Sequence, residues 1–199
     1  MSQAAEVRTG SAAGTEPDTA LLSPDEVVTP DGARVTDVWS WAFSDGLATI
    51  VRQAVAEYLV ARAVEADLSR PRRDTDTWDV VTPEGTTIEV MSAAHLDAYG
   101  RPRTGTVTWG RTRGGGRAEE TPRSDFGAAA RADLYVLCLQ TATHRSQVDV
   151  VDHRQWEFYV LAREDVRHFG VAVGLRAVQD RARAVSWEQL GEAVRAATR

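Results

Sequence analysis

The chain has 199 residues, 43% of them hydrophobic, which is enough to bury one sizeable core, and it carries a formal net charge of −6. That acidic balance excludes a globally basic nucleic-acid binder, so any such contact must come from a local patch. No apolar stretch approaches the ~20 residues of a membrane span. The N-terminus lacks a signal-peptide core, and the single Cys138 cannot form an internal disulfide. A cytoplasmic protein without membrane contact is expected.

Residues 1–33 are rich in Ala, Ser, Thr, Gly, Glu and Pro without periodicity and read as a disordered tail, with one domain over 34–199. Thr36 and Asp37 offer an N-cap for a short aromatic helix over 38–43. Its Trp39, Trp41 and Phe43 read as core, since aromatics at helical spacing usually are. A longer helix follows, capped by Ser44 or Asp45 and running to about Val64. Leu47, Ile50, Val51, Ala54, Val55, Tyr58 and Leu59 make its apolar stripe. Glu57 lies at the edge of that stripe, and the cost of burying an unpaired charge favours an outward orientation.

After the polar break 70–74, residues 78–90 form two β-rich runs around Pro83, Glu84 and Gly85. The spacing predicts a three-residue hairpin loop, a type I turn followed by Gly85 in the left-handed region. In that register Thr82 faces Thr86, and Asp79 faces Glu89. Like charges set directly opposite are destabilising, and a hard divalent cation held by oxygen ligands is one reason to tolerate them. On the hairpin alone, two solvated carboxylates are an equal reading. Period-2 geometry puts Met91 on the face of Glu89.

Residues 92–99 leave the second strand, and 104–109 alternate as a third. Residues 100–124 form a flexible Arg/Gly-rich segment. From 100 to 131 seven arginines (101, 103, 111, 113, 117, 123 and 131) stand against Glu119, Glu120 and Asp125. Arginine's planar fork suits phosphate, so Arg101, Arg103, Arg111, Arg113 and Arg117 are candidate nucleic-acid contacts; a solvated loop is an equal reading. Ser124 or Asp125 can cap a short helix to Ala132. Residues 133–139 read as a strand buried on both faces, with Cys138 a structural thiol. Residues 156–161 form another strand. Ser186 with Gln189 makes a capping box and Val185 with Leu190 a staple, so the last helix spans 187–197. The order α-βββ-α-ββ-α specifies an α/β (α+β) fold on a mixed sheet. No dinucleotide fingerprint, phosphate loop, zinc spacing or nucleophile elbow is present.

A helix carrying Glu57, a hairpin carrying Asp79 and then Glu89-Val90-Met91, and a later buried strand resemble the PD-(D/E)XK superfamily, with its restriction-endonuclease-like fold. The stretches 37–45, 55–61, 89–94, 132–136 and 155–161 look like an uncharacterised bacterial family of that superfamily. The similarity covers residues 35 to 199 and is weakest over 100–124. It implies that Asp79 and Glu89, with the Val90 carbonyl, ligate Mg²⁺ or Mn²⁺, and that Glu57 completes the site. The metal would lower the pKa of a bound water and stabilise charge on the phosphate.

The motif lysine, which orients the attacking water, is here Met91. Methionine carries no charge and donates no hydrogen bond, and losing one well-placed electrostatic group costs roughly 10²–10³ in rate. His95, Gln155 and Glu157 are the polar groups within reach of a substitute role. Three functions follow: a metal-dependent phosphodiester hydrolase acting on DNA, impaired at Met91, as a monomer or a homodimer; a nuclease-fold protein that binds nucleic acid without cutting it; or a protein-interaction module using Trp39, Trp41 and Phe43.

Overall fold

The computed structural model describes residues 20–73, 77–110, 126 and 130–198. Helices α1 (Val35–Phe43) and α2 (Thr49–Ala63) precede β1 (Val80–Val81), β2 (Thr87–Ala94), β3 (Thr108–Gly110) and β4 (Leu134–Gln140). Then come β5 (Trp156–Ala162), α3 (Arg163–Val166), β6 (Ala172–Gly174), α4 (Leu175–Gln179) and α5 (Trp187–Ala197). Four strands make one mixed sheet in the order β1-β2-β4-β5, and β3 pairs with β6 in a second, two-stranded sheet. The expected mixed α/β architecture is therefore present. No described helix is long and apolar enough to cross a membrane.

β4 is central because every one of its residues is buried, as expected of a strand covered on both faces. It runs parallel to β2 and antiparallel to β5. Alternation sends Val136 and Cys138 to one face, where α2 and α5 pack with Val60, Leu190 and Val194. Leu137 and Leu139 go to the other, which is covered by Trp109 of β3, Val173 of β6, Val166 and Val178. Asp133 fixes the β2–β4 register. Its carboxylate accepts from the Thr87 amide at 3.0 Å and the Thr87 hydroxyl at 2.7 Å, and pairs with Arg163 at 2.6 Å. Those hydrogen bonds from Thr87 first, and the Arg163 charge after them, hold the Asp133 carboxyl below its usual pKa.

The hairpin register is the one the spacing predicts: Val80 pairs with Ile88, Val81 with Thr87, and the Thr82 amide donates to Thr86 O at 3.0 Å. Gly85 sits at φ +90°, where a Cβ is strained. The last helix also has its expected bounds, with the Ser186 amide donating to Gln189 Oε1 at 3.1 Å.

Other boundaries differ. α2 begins at Thr49 with N-cap Ala48, because the Asp45 carboxylate is used in a turn, accepting from the Leu47 amide at 3.1 Å. Its buried face runs through Val51, Arg52, Ala56, Glu57, Leu59 and Val60, whereas Ile50 and Tyr58 of the expected stripe are exposed. α1 begins at Val35, and Asp37 is not its cap but the residue whose carboxylate accepts from the Arg34 amide at 2.7 Å. Its aromatics are not core: Trp41 is 87% exposed, Trp39 and Phe43 are exposed too, and only Val35 is buried. The third strand starts later than expected and lies outside the main sheet, because it pairs with β6, Trp109 opposite Val173, rather than with β2.

α3, β6 and α4 are elements the sequence pattern did not mark. They are short, and β6 exists only by pairing with β3 across the chain. Residues 1–19 of the expected tail lie outside the described residues, as does most of the expected helix ending at Ala132. Within 20–34, Val27 bridges Arg34.

Candidate functional site

The ladder between β1 and β2 stops at Val80, so among the described residues the edge of β2 beyond Ile88 has no strand beside it. Backbone groups left there must find partners elsewhere. Asp79, one residue before β1, supplies the first: its Oδ2 accepts from the Val90 amide at 2.8 Å. Continuing the ladder would set Asp79 opposite Glu89. The chain bends instead, and the carboxylate turns onto the strand edge.

Gln53, one helical turn before Glu57 on α2, supplies the rest. Its Nε2 donates to the Val90 carbonyl at 2.7 Å and to Glu57 Oε1 at 2.9 Å, while its Oε1 accepts from the Ser92 amide at 2.9 Å. The carboxamide thus does for β2 what a neighbouring strand would do. Ser92 Oγ, buried beside it, finds no hydrogen-bond partner among the described residues.

Glu57 is only 6% exposed, contrary to the outward orientation that its place on the helix favours. Its burial is compensated. Arg72 Nη2 donates to Glu57 Oε1 at 2.9 Å and Arg72 Nε donates to Oε2, so both carboxylate oxygens are engaged. The bidentate geometry is the form in which arginine binds a carboxylate most strongly.

Glu89 is also buried and pairs in register with Tyr135. Burial, with the Glu89 charge adding to it, raises the Tyr135 phenol above its usual pKa. Met91, 6% exposed, packs in the apolar cluster that includes Tyr135, Leu137 and Trp109. Position 91, which the sequence resemblance aligns with a lysine, is thus a core position. Cys138 is fully buried, and burial, with Glu57 and Asp79 contributing, pushes its thiol well above the usual range. It is a structural thiol rather than a nucleophile.

These contacts test the implied metal site. The Val90 carbonyl is taken by Gln53, both Glu57 oxygens accept from Arg72 and Gln53, and Asp79 Oδ2 holds the Val90 amide. Among the described residues no group of three or more His, Cys, Asp or Glu side chains is placed to hold a metal ion. In this arrangement a metal ion at this edge would compete with Gln53 for the Val90 carbonyl and with Arg72 and Gln53 for Glu57.

Two of the groups considered as substitutes for the lysine have side chains engaged elsewhere: Glu157 accepts from the Tyr159 hydroxyl at 2.7 Å and Gln155 bonds Gln140 at 2.9 Å. The contact at His95 is a backbone one, its carbonyl accepting from the Arg103 amide at 2.9 Å. Of the candidate nucleic-acid arginines, Arg101 pairs with Asp97 at 2.8 Å and lies over the Tyr99 ring. Arg103 is exposed, and Arg111, Arg113 and Arg117 lie outside the described residues. A hollow of about 230 Å³ lined by Val64, Thr82, Pro83, Gly191, Val194 and Arg195 sits beside α5 and includes none of the three carboxylates.

Gln53 and Arg72 are the site residues that sequence reasoning missed. Gln53 carried a weak signal, since it stands four residues before Glu57, where helical side chains meet. Arg72 carried none, because its partner lies 15 residues away across a turn.

No family model matches the chain, and no curated protein matches it. Among solved structures it is similar to a bacterial homing endonuclease, I-Ssp6803I, at 17% identity and a TM-score of 0.40, over 76% of this chain and 94% of that one. At that distance the likeness assigns no shared function.

Proposed function

We propose that this chain is a PD-(D/E)XK-like protein that binds nucleic acid, DNA in the first place, and does not hydrolyse it efficiently. One observation carries the reading: Gln53 and Arg72 occupy the Val90 carbonyl and the Glu57 carboxylate that a metal would need. The burial of Met91 supports it, since nothing at that position can orient a water. The arginines between 101 and 131 would supply the phosphate contacts.

A second reading, metal-dependent hydrolysis, is favoured by the presence of Asp79, Glu89 and Glu57 at or near one strand edge. It requires Arg72 and Gln53 to release their partners.

Incubating plasmid and single-stranded DNA with the protein in Mg²⁺ and in Mn²⁺ separates the two, with filter retention measured at low and raised salt alongside. The expected result is salt-sensitive retention without cleavage. Cleavage by the wild type that disappears in Asp79→Ala overturns the proposal in favour of the hydrolase. Absence of retention at low salt removes the nucleic-acid role.

A further inference from the structure

Arg52 is a buried cation whose charge no described acidic side chain balances. It is 3% exposed and forms no ion pair among the described residues, and its Nε has no hydrogen-bond partner there. Its other two nitrogens reach only the Leu47 carbonyl and Thr49 Oγ1, each at 3.4 Å. Both partners flank Ala48, the N-cap of α2, so the guanidinium is folded back against the start of its own helix. Isolated buried charge is costly, and native proteins pair it.

Around it, Asp45 is engaged by the Leu47 amide at 3.1 Å and Asp97 by Arg101, while Arg103 adds positive charge. α2 is 15 residues long and no described side chain caps its N-terminus, where its first-turn N–H groups and the positive end of its dipole lie. Thr49 and Ile50, which carry two of those groups, are exposed. The N-terminal part of α2 lies along the C-terminal half of β2, where Gln53 bonds Val90 and Ser92. Just past the end of β2, the Arg103 amide is held on the His95 carbonyl and Pro102 bridges Leu96. That brings a second arginine to the same end of the helix. Arg103 is exposed, has no ion pair among the described residues, and lines an open hollow of about 400 Å³ with Asp97, Arg101, Pro102 and Thr104. Burial first, and the Arg103 charge second, pull the Arg52 guanidinium down to about 10. It remains charged at neutral pH.

We propose that the N-terminus of α2 is a phosphate-binding site, in which Arg103 and the first-turn backbone N–H groups contact the anion and Arg52 supplies the charge beneath it. Helix N-termini bind phosphate through this combination of free N–H groups and dipole, and a guanidinium behind the anion accounts for a charge that is otherwise uncompensated. The site deepens the nucleic-acid reading by locating one backbone phosphate, and it rests on that reading only for where the phosphate comes from.

Thermal unfolding of the full chain with inorganic phosphate, against chloride at matched ionic strength, tests the site; anisotropy of a short labelled oligonucleotide tests the source. Phosphate is expected to raise the wild-type Tm, and both Arg103→Ala and Arg52→Met to abolish the rise. Arg52→Met is expected to melt no lower than wild type in chloride, because it removes a buried charge that lacked a partner. Arg103→Ala, at an exposed position, keeps the test decisive if Arg52→Met does not fold. Equal phosphate-dependent shifts in all three proteins, or none in the wild type, overturn the site. If Arg103→Ala also weakens oligonucleotide binding about tenfold, the scale of one charge-assisted contact, the phosphate is a nucleic-acid one. If it abolishes the phosphate shift but leaves oligonucleotide binding unchanged, the site stands for free phosphate and the nucleic-acid reading fails there.

Discussion

Gln53 and Val90 are 37 residues apart in the chain, and the Gln53 amide donates to the Val90 carbonyl at 2.7 Å. Through that bond and its partner at Ser92, a side chain of α2 completes a sheet edge that β1 is too short to cover. The same amide group holds Glu57. The strand edge, the helix carboxylate and Arg72 therefore form one hydrogen-bonded unit, and a change at any member reaches the others.

Replacing Gln53 by Leu leaves the Val90 carbonyl and the Ser92 amide without their partner. An unsatisfied buried backbone group costs roughly 1–3 kcal/mol, so Gln53→Leu should lower unfolding stability by about that much per group that water fails to reach. Urea unfolding monitored by circular dichroism reads the loss. A variant as stable as wild type would show that the amide bridge contributes nothing net.

Arg72→Met leaves Glu57 a buried carboxylate without its cation, held by the Gln53 amide alone among the described contacts. Breaking one side of a buried pair costs as much as about 3–5 kcal/mol; Arg72 is itself partly exposed, so the lower end applies. Glu57→Gln should cost less, and the double variant Arg72→Met/Glu57→Gln should recover much of the loss. A double-mutant cycle from denaturant midpoints checks this, and additive losses would rule out the coupling.

Burial, followed by the hydrogen bond to Glu157, pushes the Tyr159 hydroxyl up to about 12. The unfolded phenol ionises near its ordinary value of about 10. Between those two points the folded state holds a proton that the unfolded state has lost, so stability falls as pH rises. Tyr159 thus contributes fully below about pH 10, and its contribution fades as pH approaches about 12, at no more than about 1.4 kcal/mol per pH unit. Denaturant midpoints at alkaline pH should fall more steeply for wild type than for Tyr159→Phe; parallel slopes would sink the assignment.

With Trp41 87% exposed and Trp39 exposed beside it, part of the tryptophan emission should be accessible to iodide. Trp41→Ala should remove a portion of the quenchable signal and change stability by no more than about 0.5 kcal/mol, as surface substitutions do. Loss of several kcal/mol, or unchanged quenching, would place Trp41 in a packed environment.

What the sequence determined is what neighbours along the chain decide. The turn at Pro83, Glu84 and Gly85 sets the hairpin register, because only that loop returns the strand with Gly85 at φ +90°. The alternation-free run at Leu134–Gln140 makes β4 central, and Ser186 with Gln189 starts α5. The mixed α/β class was legible in the same way. What only the tertiary structure decided is how charges and edges are compensated. Periodicity shows which face of α2 is apolar on average, but Arg52 and Glu57 are buried while Ile50 and Tyr58 are exposed. Their environment is set by Arg72, by the open edge of β2 and by the end of that strand, none of them adjacent in sequence. Charge burial depends on a partner's distance in space, and sequence spacing carries no information about that distance beyond one helical turn or one hairpin.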